Sequence, residues 1–499
     1  MVFHDVTDDS TSGNGERARR AAGLGGAVRS ALLASLITLP AFATGSNPPS
    51  ALDETLRIAA LDPVLLGLLQ DAGTAGQPNE TSSEESWLGL DEVDATIYND
   101  IATDILTQSE IGYNRPGEFR PESRRAFKAG ELLIYPYLQQ RFAYNDNIFL
   151  SDGEDDGDPT TDDDETDDFL SLTKVGALAR VTFAQGEHNI EFGGEASWNQ
   201  FFDESDDSYF EGTAGAAWNF RSGNVYGKAA DRFERREDPI EIDFSGDLFR
   251  RNINTLNGIF GADLDAINLE AEGNWEVTDF TDDDFEYINR DEFYVALRPG
   301  VYLSPDLRLY VEALYGERLM EDDGDINDSW WAEGSLGVMG DIAEHVTGRV
   351  QAGYHYEKFD DNGNAIVTAL DDTHDDMVAL ASVRWDASND TTVDAAFIRT
   401  QQFSTTEVGN FQVLTRLDLT VTHVLYPNLL GRIGAFGETA KVDNSDDLDR
   451  FGVGVGLKYR LTSYLDLDAD YSYKERNVHD TPFGDYENNI VSIGATLQF

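Results

Sequence analysis

The last eleven residues, Asn489-Ile490-Val491-Ser492-Ile493-Gly494-Ala495-Thr496-Leu497-Gln498-Phe499, alternate strictly. Val491, Ile493, Ala495, Leu497 and Phe499 share one face, and polar or small residues share the other. A two-residue period sends successive side chains to opposite sides of a strand. One apolar face, one wet face and a terminal aromatic ring fit a barrel strand with lipid outside, water inside and a ring at the membrane interface. The same alternation recurs from about Glu131 onward. The sequence therefore predicts an all-β fold, a transmembrane antiparallel up-and-down β-barrel, with Phe499 as its barrel-closure signal.

No apolar run approaches the eighteen or more residues of a membrane helix, which excludes a helical membrane protein. Cysteine is absent, so disulfide staples and cysteine metal sites are excluded as well. Hydrophobic residues make up 40% of the chain and Gly numbers 45, as expected where half of each strand faces water.

The amino terminus carries Arg17, Arg19, Arg20 and Arg29, then an apolar run from Ala31 to Leu39, then Pro40 and Ala41-Phe42-Ala43. This reads as a signal peptide over residues 1–43, cleaved after Ala43. Its acids Asp5, Asp8, Asp9 and Glu16 balance its four arginines, so cleavage leaves the net charge at −58. That charge argues against binding nucleic acid or anionic lipid through a basic patch. The densest acidic block, Asp152 to Asp168, holds eleven carboxylates and no base. Further clusters lie at Asp203 to Asp207, Asp282 to Asp284, Glu321 to Asp328, Asp371 to Asp376 and Asp443 to Asp449. Two explanations suit them, a surface adapted to high salt or loops that gather divalent cations near lipopolysaccharide.

Eighteen candidate strands can be placed after Glu131, joined by eight short, turn-rich connections and nine long ones. Segments near Asn252 to Ala262 and Thr391 to Gln402 alternate poorly, which leaves sixteen as the other count. The short and long asymmetry implies long loops outside the cell and both termini in the periplasm. Six tryptophans (Trp198, Trp218, Trp275, Trp330, Trp331 and Trp385) fall in or beside strands and suggest interfacial girdles. Residues 130–499 are thus read as an outer-membrane barrel. Residues 44–129 differ: Leu61 to Leu69 is a short apolar run, and Val93, Ile97, Ile101 and Ile105 recur every four residues. They are read as a short, partly helical periplasmic extension or a small lumen insert.

No nucleophile and base constellation is recognisable from spacing, and the seven histidines are scattered. The block from Asp152 to Asp158 departs from the helix-loop-helix calcium pattern at Glu154 and Asp163. No catalytic residue, metal site or cofactor is expected. The wet face is more informative. Carrying the Phe499 parity backward gives a lumen-lining set of Arg180, Glu195, Arg232, Glu270, Glu272, Arg308, Glu312, Arg349, Arg384, Arg416, Lys458, Arg460, Asp466, Asp468 and Asp470. Opposite charges fall on nearby strands, where cross-strand pairing would stiffen the wall around a polar channel.

The first strand contains Ile134-Tyr135-Pro136-Tyr137-Leu138 and then Arg141-Phe142-Ala143-Tyr144-Asn145-Asp146-Asn147-Ile148-Phe149, followed by a long polar loop. This stretch resembles the entrance strand of the putative beta-barrel porins associated with exopolysaccharide and capsule loci. The resemblance implies an outer-membrane barrel that helps polymer cross the outer membrane together with periplasmic polysaccharide-export proteins. Lipid, lipopolysaccharide and the barrel-assembly machinery are the other expected partners. The leading expectation is an exopolysaccharide export conduit and not an enzyme. The alternatives are a general or solute-selective diffusion porin and, third, a barrel-embedded hydrolase.

Overall fold

The computed structural model describes residues 127–148, 166–183, 188–204, 208–238, 249–281, 288–320, 328–359, 373–403, 411–442, 447–478 and 485–498. The segment expected to be a signal peptide, residues 1–43, nearly all of residues 44–129, the block from Asp152 to Asp158, the turn around Gly186 and Phe499 lie outside them. A short strand β1 (Phe127–Ala129) precedes eighteen long ones. These are β2 (Leu132–Asn145), β3 (Asp168–Phe183), β4 (His188–Phe201), β5 (Tyr209–Ser222), β6 (Val225–Asp238) and β7 (Phe249–Leu264). There follow β8 (Ile267–Phe280), β9 (Arg290–Ser304), β10 (Leu307–Met320), β11 (Ser329–Ala343), β12 (Val346–Phe359) and β13 (Thr373–Ser388). The last are β14 (Thr391–Phe403), β15 (Phe411–Tyr426), β16 (Leu429–Val442), β17 (Leu448–Thr462), β18 (Leu465–Val478) and β19 (Tyr486–Gln498).

Each strand pairs antiparallel with its successor, and β19 returns to β2 through Ile490↔Asn145 to Gln498↔Tyr137. The sheet is therefore closed and, β1 apart, has no free edge. The two poorly alternating segments are strands β7 and β14, so the count is eighteen and not sixteen. Their alternation is weak because part of their inner face is itself apolar: Ile253 and Ile259 on β7, Ala396 and Ile398 on β14.

Strands of 13 to 16 residues exceed the roughly 9–11 needed to cross a bilayer at a tilt. The outer face supplies the lipid-compatible surface: Ile493 is 60% exposed and its neighbour Ser492 2%, and Leu297 is 61% exposed beside Arg298 at 2%. Aromatic rings gather at both ends of this band. At the short-turn end, Phe183 stacks on His188 (4.9 Å between centroids), and Trp218 stacks on Phe220 (5.1 Å). At the long-loop end, Trp330 packs between Tyr315 and Tyr356, and Tyr144 lies against Phe169. Trp331 is the exception to the girdle expectation. It points inward and is buried, because adjacent tryptophans on one strand must take opposite faces.

The short turns carry the backbone conformations that tight hairpins demand. Gly223, Asp265 and His345 all have positive φ. At Gly340, where φ is +120°, a Cβ would lie 1.9 Å from the Asp306 carbonyl oxygen, so only glycine fits.

Candidate functional site

The site is the inner wall, and it is built by a repeated contact between aromatic rings and glycines. Tyr137 faces Gly176, Tyr226 faces Gly261, Tyr310 faces Gly337, Trp331 faces Gly316 and Phe436 faces Gly452, each pair directly opposite on adjacent strands. A Cβ on any of these glycines would meet the ring at 2.1 to 2.5 Å. Each ring therefore lies flat across the strand beside it. The inner rings are buried for that reason, and the tyrosine hydroxyls reach polar groups further round the wall.

The largest cluster spans β6 to β12. Arg298 forms ion pairs with Glu270, Glu272 (2.8 Å) and Glu312, all with side chains almost wholly buried. Tyr226 donates to Glu270 at 2.9 Å and Tyr294 to Glu272 at 2.7 Å. Gln351 donates to Glu312 and to Ser335, each at 2.7 Å, and accepts from Tyr310 at 2.7 Å. Arg349 donates to the Tyr310 hydroxyl at 2.7 Å, and Arg308 donates to Asn268. The guanidinium groups of Arg298, Arg308 and Arg349 lie 6.0, 5.7 and 5.4 Å from the Tyr310 ring centre. A carboxylate buried alone would be strongly disfavoured, whereas here each is held by a cation and by neutral donors.

The remaining predicted residues form smaller assemblies of the same kind. Arg180 pairs with Glu191, and Glu195 with Lys174 (2.9 Å) and the Tyr137 hydroxyl. Arg232 pairs with Glu234, and Arg384 with Asp394 at 2.7 Å. Arg416 holds Asp418 (2.9 Å) and Glu438 (3.2 Å) while its guanidinium lies 4.4 Å from the Phe436 ring centre. Arg460 meets Asp466 at 3.0 Å, and Lys458 stands opposite Asp468 in register. Asp468 and Asp470 are joined across the closing seam to Arg141, at 2.7 and 3.2 Å.

The fifteen side chains are buried or half-buried on the face of their strands opposite the exposed apolar residues, and they are grouped into separate clusters rather than one centre. Sequence reasoning passed over Arg298 and Arg141, the hubs of two clusters. Parity alone could have found both, since Arg298 falls between Leu297 and Pro299, and Arg141 between Gln140 and Phe142. Among the described residues no group of three or more His, Asp or Glu side chains is placed to hold a metal ion.

The sequence model of the family described as putative beta-barrel porin 2 matches residues 125–499. No curated protein matches the chain. Among solved structures, OccAB3 of Acinetobacter baumannii is similar at 12% identity, over 73% of this chain and 99% of that one, with a TM-score of 0.40. The outer membrane protein opdK of Pseudomonas aeruginosa is similar at 10% identity, over 73% and 99%, with a TM-score of 0.40. OccK2 (OpdF) of the same organism is similar at 11% identity, over 73% and 98%, with a TM-score of 0.41.

Proposed function

We propose, from the premise that this chain belongs to the putative beta-barrel porin 2 family, that it is an outer-membrane passage through which an exopolysaccharide leaves the cell. The observation that carries this reading is the mutual neutralisation of the inner wall. Pores that select small anions or cations present rings of one charge sign to the solute. In this barrel the clusters around Arg298, Arg416 and Arg141 each hold their carboxylates within the wall. The solute meets a polar surface without a strong field of one sign, which suits a long, hydroxyl-rich chain better than a multiply charged small ion. The first-strand motif from Tyr144 to Phe149 supports the same cargo through its resemblance to porins of exopolysaccharide loci. In this reading the nine long connections lie outside the cell, the termini lie in the periplasm, and periplasmic polysaccharide-export proteins deliver the polymer.

Planar-bilayer recordings of the full-length protein test the reading. Nearly equal permeability to cations and anions is expected, with current blockades when a neutral polysaccharide is added to one side. Strong preference for ions of one sign, with no response to polysaccharide, would favour a solute-selective diffusion porin instead.

A further inference from the structure

The first-strand motif Tyr144-Asn145-Asp146-Asn147-Ile148 lines none of the charge clusters. It sits where the last strand meets the first. The seam ladder ends at Ile490↔Asn145, short of the long-loop end of β19 at Tyr486, whereas β2 and β3 stay paired to Asn145↔Asp168 and β18 and β19 to Arg476↔Tyr486. Side chains continue the seam where the ladder stops. The Asn489 amide nitrogen donates to one Asp146 carboxylate oxygen, and its Nδ2 donates to the other at 2.8 Å. In return the Asp146 backbone N–H donates to the Asn489 carbonyl at 3.2 Å. Asn147, fully buried, donates from Nδ2 to the Glu487 carbonyl at 3.1 Å. Asn488, also buried, donates to Asn145 Oδ1 at 2.8 Å and to the Asn147 carbonyl.

We propose that Asn145-Asp146-Asn147 and Glu487-Asn488-Asn489 form a clasp that closes the barrel: the motif is a recognition site for the chain's own last strand and fixes the seam register during assembly. Register is the property at stake, because a slip of one residue would turn every side chain of β19 to the wrong face. The alternating apolar pattern of β19 forbids odd slips but not slips of two residues. A slip of two residues would set Glu487 or Val491 opposite Asp146, and neither side chain can donate to its carboxylate as Asn489 does, so this contact resists both kinds of slip. This role holds whichever solute passes through the barrel.

The chain has no cysteine, so a seam disulfide can be introduced cleanly. Phe142 and Ile493 stand directly opposite on the outer face, at a spacing that antiparallel pairs share with disulfides. The full-length chain carrying Phe142→Cys and Ile493→Cys is assembled in cells, and linked product is followed in a pulse-chase. Asn489→Asp, which sets a second carboxylate against Asp146, is expected to cut the linked fraction at early times about tenfold. Asp146→Asn combined with Asn489→Asp reverses donor and acceptor and should restore it. Asn289→Ala is the control: it removes a hydrogen bond of 2.6 Å to the Phe280 amide, at the same end of the barrel but away from the seam. It should leave the linked fraction unchanged. Wild-type linkage in Asn489→Asp, failure of the reversed pair to restore it, or an equal loss in Asn289→Ala would each overturn the proposal.

Discussion

Arg298 holds three carboxylates, and the wall around it tolerates its loss badly. Removing one partner of a buried ion pair costs roughly 3–5 kcal/mol, because the charge left behind cannot regain water. Arg298→Met should therefore lower the stability of the folded barrel by about that amount in urea unfolding from lipid vesicles, by leaving Glu270, Glu272 and Glu312 facing one another. Arg298→Lys keeps the charge but not the fork of donors, and should cost less. Unfolding midpoints of Arg298→Met equal to wild type would show that the cluster is not the wall's support. A second residue-scale outcome concerns glycine. Gly337→Val places a side chain where the Tyr310 ring lies, 2.3 Å from its nearest atoms, so it should displace that ring and destabilise the barrel. Gly334→Val, on the same strand with nothing within 4 Å, should be nearly neutral in the same assay.

At the scale of the strand, parity decides what a substitution does. Leu336 is a lipid-facing residue of β11 and is well exposed. An arginine at a lipid-facing site costs about 2–4 kcal/mol near mid-membrane. Leu336→Arg should thus reduce heat-modifiable folded protein, and Leu336→Phe should not. Equal yields would mean that the outer face of β11 does not meet lipid. Parity was also the part of the strands most legible in the sequence. The eight short and nine long connections, and the inward direction of residues such as Glu270, Arg349 and Asp468, followed from two-residue alternation alone. Pairing across strands did not, because alternation fixes a face but not the stagger that brings Arg141 to Asp468 or lays Tyr310 over Gly337. Trp331 was misplaced for a similar reason: a tryptophan pair signals an interface without saying which ring faces it. The Asn145-Asp146-Asn147 motif could be recognised in sequence, but its partners Glu487 to Asn489 lie at the far end of the chain and are joined to it only by barrel closure.

At the scale of the whole molecule, the net charge of −58 does not reside on the inner wall, where carboxylates and cations meet in pairs. Its densest block is the connection after β2, so acidity and sidedness belong together. If the long connections face outward, epitope tags inserted at Gly157 and at Asn444 should both be reached by antibody on intact cells. A tag at Gly186 should be reached only after permeabilisation. Labelling of Gly186 on intact cells, or of only one of the other two, would contradict the arrangement. The export reading is tested most directly by deleting the gene and measuring polysaccharide at the cell surface and in the periplasm. Surface polymer should be lost while synthesis continues, so that polymer accumulates in the periplasm, and the wild-type chain should restore export. Unchanged surface polysaccharide together with lost uptake of a small solute would contradict the account.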